Sequence, residues 1–209
     1  MRYFHYVPNC TKWGGELARP REFDEKKALN VALELFWKKG YEATSISDLA
    51  SKMGINRPSL YSAFGDKREL FEMALNAYQQ NYLNKLHDIL EKNKSGFRGI
   101  EAVFARFVES IRNPAARRGC FFVNSIAELA AQDENIAAKG REFQEKIINM
   151  FADALMTGKK HGEIPLDLDI ESTSHFLAMS LVGLNVVIKT MPDQSFVRNN
   201  VRAILSVIQ

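Results

Sequence analysis

GINRPSLYSAFGDKREL, residues 54–70, sets Arg57, Pro58, Ser59, Tyr61, Ser62 and Lys67 between and just beyond two glycines, Gly54 and Gly65. Such punctuation serves a connection between packed helices, a phosphate-cradling loop, or a surface that reads a partner. The phosphate cradle is excluded first. The run holds no GxxxxGK[ST] pattern, and no strand-like alternation precedes it.

The flanking residues settle the local architecture. Upstream, Asp24 caps a helix that runs to Lys39, with Ala28, Val31, Ala32, Leu35 and Phe36 on one stripe and Gly40 as its stop. A second helix spans Ser45 to Met53, with Ile46, Leu49, Ala50 and Met53 on one face, and Gly54 ends it. Asn56 or Arg57 opens a third, short helix that stops at Gly65. Pro58 belongs in its first turn, where a missing N–H costs nothing, and it restricts the helix from starting earlier than Arg57. Asp66 then caps a longer helix striped by Leu70, Phe71, Ala74, Leu75, Tyr78, Tyr82 and Leu86. The second and third helices, joined through Gly54, Ile55 and Asn56, have the layout of a helix-turn-helix.

Leu60 and Phe64 lie four apart and face inward, which leaves Arg57, Pro58, Ser59, Tyr61 and Ser62 on the outside and flanks. This outward set suits duplex DNA. Arg57 can form a bidentate bond to guanine O6 and N7, Pro58 can meet a thymine methyl, and Ser59 and Ser62 can reach base edges or phosphate. Tyr61 and Lys67 suit phosphate oxygens, which fix register without reading sequence. Thr44, Ser45 and Ser47, with the amides that open the second helix, form another phosphate site. On spacing alone, the same layout also serves as plain packing in a larger helical protein.

Composition agrees with a soluble helical chain. The 209 residues are 46% hydrophobic and 25% charged, with a net charge of +3. Residues 1–70 carry 12 Lys and Arg against 9 Asp and Glu, and the other 139 balance at 16 against 16. The basic excess therefore sits in the segment that holds the quoted stretch, which favours a polyanionic partner. Cys10 and Cys120 form no CxxC pattern, and a reducing cytoplasm fits them best. His5, His87, His161 and His175 are scattered without paired-ligand spacing, so no metal is expected. The most apolar run, Phe176 to Ile188, is interrupted by Ser180 and Asn185 and falls short of the roughly 20 residues of a spanning helix. The first fifteen residues lack the apolar core of a signal peptide.

After Gly96 and Gly99, read as a break, Ile100, Val103, Phe104, Phe107, Val108 and Ile111 stripe a helix closed at Asn113-Pro114. Further helices run from Gly119 to Ala131 and from Glu134 to Met156, and GKKHGEIPLDLD is read as a loop. Ile170–Lys189 is apolar nearly all round, which implies burial on two sides. Val197, Val201, Ile204, Leu205 and Ile208 stripe a last helix. The expected fold is all-α with nine helices: a flexible extension over 1–18, a helix-turn-helix domain over 19–68, and a ligand-binding and dimerisation domain over 69–209.

Residues 19–78, and above all GYEATSISDLA and MGINRPSLYSAFGDKRELF, closely resemble the N-terminal domain of TetR-type transcriptional regulators. RRGCFFVNSIAEL, residues 117–129, resembles the start of the sixth helix in one branch of that family. The resemblance implies a cytoplasmic, homodimeric repressor without enzymatic activity or cofactor. It would bind a pseudo-palindromic operator with the third helix in the major groove, under control of a small molecule in the C-terminal domain. By position, Arg57, Pro58, Ser59 and Ser62 are the groove contacts, and Ser45, Ser47, Tyr61 and Lys67 the phosphate contacts, with Arg19 and Arg21 as arm contacts. The last two helices are the dimer surface, where Gly183 would allow close approach. Helices that should converge on one cavity carry Phe104, Phe107, Phe121, Phe122, Ile147, Phe151, Phe176 and Met179, with Asn124 and His175 as polar anchors. That lining suits a hydrophobic or aromatic effector. Arg117 and Arg118 could lower the pKa of Cys120, although a buried small hydrophobe is the plainer reading. The competing function is a helical small-molecule-binding or enzymatic protein whose N-terminal helices only pack. It lacks a nucleophile–base pair or cofactor fingerprint and leaves Arg57, Tyr61 and Lys67 unexplained.

Overall fold

The computed structural model describes residues 23–92, 95–111, 113–190 and 193–209. The N-terminal extension, Arg19, Arg21 and Cys10 lie outside them. Among the described residues the secondary structure is entirely helical, with nine α-helices.

Three short helices form the head: α1 (Glu25–Lys39), α2 (Ile46–Met53) and α3 (Arg57–Phe64). Each start is fixed by a side chain that satisfies amides the helix leaves open. The Asp24 carboxylate accepts from Lys26 N at 3.0 Å and Lys27 N at 3.2 Å. Ser45 and Asp48 bond each other's backbone amides in a capping box. Asn56 accepts from Ser59 N at 2.8 Å. Gly54 ends α2 at φ +69°, a left-handed conformation that a side chain rarely adopts. Ala32, Phe36, Leu49, Leu60 and Phe64 fill the head's core, and Leu60 is completely buried.

The 26-residue α4 (Lys67–Lys92) joins head to body. Asp66 and Glu69 exchange amide bonds at its start, each at 2.9 Å. Leu70, Phe71, Ala74 and Leu75 belong to the buried core near its head end, and Leu83, Leu86 and Leu90 to the core farther along. The body follows as α5 (Gly96–Ser110), α6 (Phe121–Leu129), α7 (Glu134–Lys160), α8 (Ile170–Val187) and α9 (Gln194–Leu205). Short 3-10 segments occupy Pro114–Arg118, Ile188–Thr190 and Ser206–Ile208.

Several boundaries differ from expectation for a common reason. Gly96, Gly99 and Gly158 read as breaks, yet all three lie inside helices. Their role is close approach rather than termination. A Cβ on Gly96 would stand 2.0 Å from Ala154 O and 2.4 Å from Gly158 N, so α5 and α7 meet backbone to backbone. The segment after Met156 is therefore one more turn of α7, and the loop begins at His161. The sixth helix starts at Phe121 instead of Gly119 because Gly119, at φ +67°, forms the corner before it. In α8, Leu177, Ala178, Leu181 and Leu184 are buried, but Phe176 (44% exposed) and Met179 (65%) are uncovered within the single chain.

Candidate nucleic-acid interface

The head presents one polar face. Leu60 and Phe64 pin α3 inward, which turns Arg57, Pro58, Tyr61 and Ser62 to solvent, with Ser59 half-buried beside them. Arg57 and Tyr61 share a side of α3, as do Pro58 and Ser62, since residues four apart stack along a helix. Ser45 and Ser47 are exposed at the start of α2. The Arg57 guanidinium donates to Ser47 Oγ, which ties the two helices of the motif together through the long side chain at the head of α3. A guanidinium held in this way loses less rotamer freedom on meeting a base or phosphate.

Ser45 carries the α2 cap, so its oxygen accepts from Asp48 N at 3.1 Å while its hydroxyl hydrogen is left for another acceptor. The Asp48 carboxyl is held below its usual range by the Ser45 amide and by Lys39, 3.1 Å away. Lys67 sits over the Tyr41 ring at 4.2 Å, a cation–π contact that positions it at the edge of the head. Thr44 departs from expectation: it is 1% exposed and donates its hydroxyl to Gly40 O at 2.6 Å, so it closes the turn between α1 and α2 and is not on the surface.

The residues expected to line an effector cavity do not gather around one space. Phe104 and Phe151 stack at 5.9 Å between α5 and α7, and Phe122 meets Phe143 at 4.2 Å between α6 and α7. Ile147 is buried in the same core. Phe121 instead points at the junction with the head, within 6.3 Å of Trp37, 5.9 Å of Phe71 and 5.6 Å of Tyr78. His175, Phe176 and Met179 face outward on α8. Phe107 and Asn124 are half-buried; Asn124 donates to Arg118 O at 2.8 Å and accepts from Lys189 at 3.0 Å. Helical period alone does not tell which side of a helix meets a cavity, a neighbour or a partner, and that is why the set divided. Cys120 is 2% exposed at the corner before α6; burial pushes its thiol pKa up, and Tyr78 OH lies 3.5 Å from its sulfur. Arg118 does not activate it, because its guanidinium lies 4.2 Å from the Trp37 ring and pairs with Glu34 at 2.5 Å.

The contacts between head and body went unread in the sequence. Glu128 on α6 accepts from the amides of Tyr41 and Glu42, and Asp133 pairs with Arg68 at 2.5 Å. A groove of about 630 Å³ along α1, α2 and Arg118 borders this seam and carries Lys38, Lys39 and Lys52 with Glu34 and Asp48. Partners more than sixty residues apart leave no local periodicity to read.

A three-helix head with a cationic reading face, carried by a helical body, defines a helix-turn-helix transcriptional regulator. Residues 28–74 match the family described as bacterial regulatory proteins of the tetR family, and residues 96–204 match the tetracyclin repressor-like C-terminal domain. The chain belongs to the TetR family, and as such it is a DNA-binding transcriptional regulator and not an enzyme. It is 31% identical to the HTH-type transcriptional regulator YezE of Bacillus subtilis strain 168 over 193 residues, covering 92% of this chain and all of that one. To the HTH-type transcriptional repressor ComR of Escherichia coli K12 it is 32% identical, over 80% of each chain. Among solved structures, the TetR-family regulator CifR in complex with a 26-bp operator superimposes with a TM-score of 0.76 at 30% identity, over 90% of this chain and 98% of that one. No helix among the described residues is long and apolar enough to cross a membrane.

Proposed function

We propose that the protein is a cytoplasmic, homodimeric repressor that binds a pseudo-palindromic operator and is released by a small hydrophobic or aromatic effector. The observation that carries this reading is the exposed face of α3, with Arg57 held by Ser47 and backed by the buried Leu60 and Phe64. In this reading Arg57, Pro58, Ser59 and Ser62 meet the groove, while Ser45, Ser47, Tyr61 and Lys67 meet phosphates. Repression is favoured by the relatives named repressors, ComR and BdcR of Escherichia coli K12.

Dimerisation is supported by apolar side chains left uncovered on the last two helices. Phe176, Met179 and Val186 on α8, with Phe196 on α9 and Val207 just beyond it, are each more than two-fifths exposed. Exposed aromatic and Met side chains on adjacent helices suit a two-fold helical interface. Two heads related by such an axis would bind half-sites one helical turn apart, or a multiple of it. The effector would bind in the helical body, the part that matches the tetracyclin repressor-like C-terminal domain.

Binding to DNA from the gene's own upstream region, measured against salt, tests the reading. Affinity should fall steeply with salt, because each neutralised phosphate releases counterions. Arg57→Ala should relax preference at one base pair per half-site by about 1–3 kcal/mol, and Lys67→Ala should weaken all sequences alike. Binding indifferent to salt and to both substitutions would refute it.

A further inference from the structure

We propose that Glu128 is a positioning residue for operator binding: from α6 it holds the turn between α1 and α2 and so sets the orientation of the reading head on the body. Its carboxylate accepts from Tyr41 N at 3.1 Å through Oε2 and from Glu42 N at 2.9 Å through Oε1. Two adjacent backbone amides thus converge on one side chain 86 and 87 residues away. The turn is fitted to that carboxylate. Gly40 stands beside it at φ +86°, and a Cβ there would lie 2.9 Å from Oε2 and 3.0 Å from Oε1. Among the described residues no Lys or Arg pairs with Glu128, and its carboxylate meets the two amides.

The gripped turn is a stiff part of the head. Thr44 closes it through Gly40 O, and the Tyr41 ring is wedged against Phe71 at 4.8 Å and Phe36 at 6.2 Å. Ser45, at the end of the turn, caps α2, which Ser47 in turn ties to Arg57. Moving the turn therefore moves the reading face with it.

At its other end α6 is anchored to the body. Phe122 packs on Phe143 of α7, Ile126 lies against Gly140, and Asn124 bonds Lys189 beyond α8. Two further contacts bracket the head from the same region: Arg118 to Glu34 and Trp37 just before α6, and Asp133 to Arg68 just after it. Glu128 differs from these ion pairs in binding main chain, so a change of rotamer in the head cannot release it. It is also exposed, so water competes for its bonds and the contact opens at modest cost. A contact that is directional and cheap to open suits an element that sets a pose and can lose it.

This inference rests on the proposal that two heads engage one palindrome, and its test separates the two. A duplex selected from random DNA by the wild-type protein serves as operator, beside a version with one base pair inserted between the half-sites and a duplex bearing a single half-site. Glu128→Ala should cut the wild-type preference for correct over shifted spacing by about tenfold, the size expected for losing two charge-assisted hydrogen bonds at an exposed site. Its affinity for the single half-site should stay within about twofold of wild type. Glu128→Gln keeps one acceptor oxygen and should fall between. An unchanged spacing preference in Glu128→Ala would overturn the proposal. So would an equal loss on the single half-site, which would mean that Glu128 serves the head's own fold. Failure of the wild-type protein to select any duplex would instead sink the operator reading itself.

Discussion

Gly96→Ala is the substitution whose cost the structure states most directly. The added methyl would stand 2.0 Å from Ala154 O, 2.4 Å from Gly158 N and 2.8 Å from Gly158 Cα. All three are backbone atoms of α7, so no side chain can swing aside, and the start of α5 must retreat. That retreat strains the cap beneath it, where Glu163 accepts from Ser95 Oγ at 2.8 Å and from Phe97 N at 3.2 Å. Overpacking of this kind costs about 1–3 kcal/mol, with the upper end expected where the obstacle is main chain. Weakening two exposed hydrogen bonds adds roughly 1 kcal/mol. Against this, Ala in a helix gains up to about 1 kcal/mol over Gly, less at the first residue of the helix. A net loss of about 3 kcal/mol lowers Tm by about 6–12 °C in a chain of this size. Far-UV circular dichroism melts of the two proteins at equal concentration would measure it. A Tm within about 2 °C of wild type would refute the claim that the α5–α7 contact is made backbone to backbone.

Two other outcomes follow from the same structure. Phe176→Asp with Met179→Asp should raise the dimer dissociation constant by at least about a thousandfold, since each large apolar side chain withdrawn from water contributes about 1.5–3 kcal/mol and the axis counts it twice; sedimentation equilibrium reads this, and an unchanged dimer would place the interface elsewhere. Acid should destabilise the fold through its helix caps. Asp24, Asp133, Asp169 and Asp193 are each held below the usual 3.8 by hydrogen bonds to their carboxylates. A depressed carboxyl contributes stability that is present above its unfolded pKa and is lost as pH falls through the folded one. Tm should therefore be flat across neutral pH and decline below about pH 4, and a Tm that rises on acidification would contradict the cap assignments.

The helix-turn-helix was legible because its determinants are local. Ser45, Gly54, Asn56, Gly65 and Asp66 start and stop helices through contacts within a few residues of themselves. The i, i+4 pair of Leu60 and Phe64 fixes which side of α3 turns outward. Those same residues placed Arg57, Pro58, Tyr61 and Ser62 on the free face. Thr44 was misread because a hydroxyl before a helix looks like a surface group until the turn closes over it.

In the body, local signals lost their meaning. Gly96, Gly99 and Gly158 carry the mark of helix ends, but Gly96 and Gly99 let α5 approach the backbones of α7 and α4, Gly158 makes room for Ile164, and only the packed helices can show that. Aromatic residues at helical spacing named the core without distinguishing Phe122, wedged on Phe143, from Phe121, aimed at the head, or from Phe176, exposed on α8. The amino-acid order by itself thus determined the nine helices, the reading motif and its outward chemistry, since capping, turn and period are short-range. Tertiary structure alone decided which body faces are core and which form the seam with the head, and it brought Glu128 to the amides of Tyr41 and Glu42, because contacts between distant residues exist only once the chain has closed on itself.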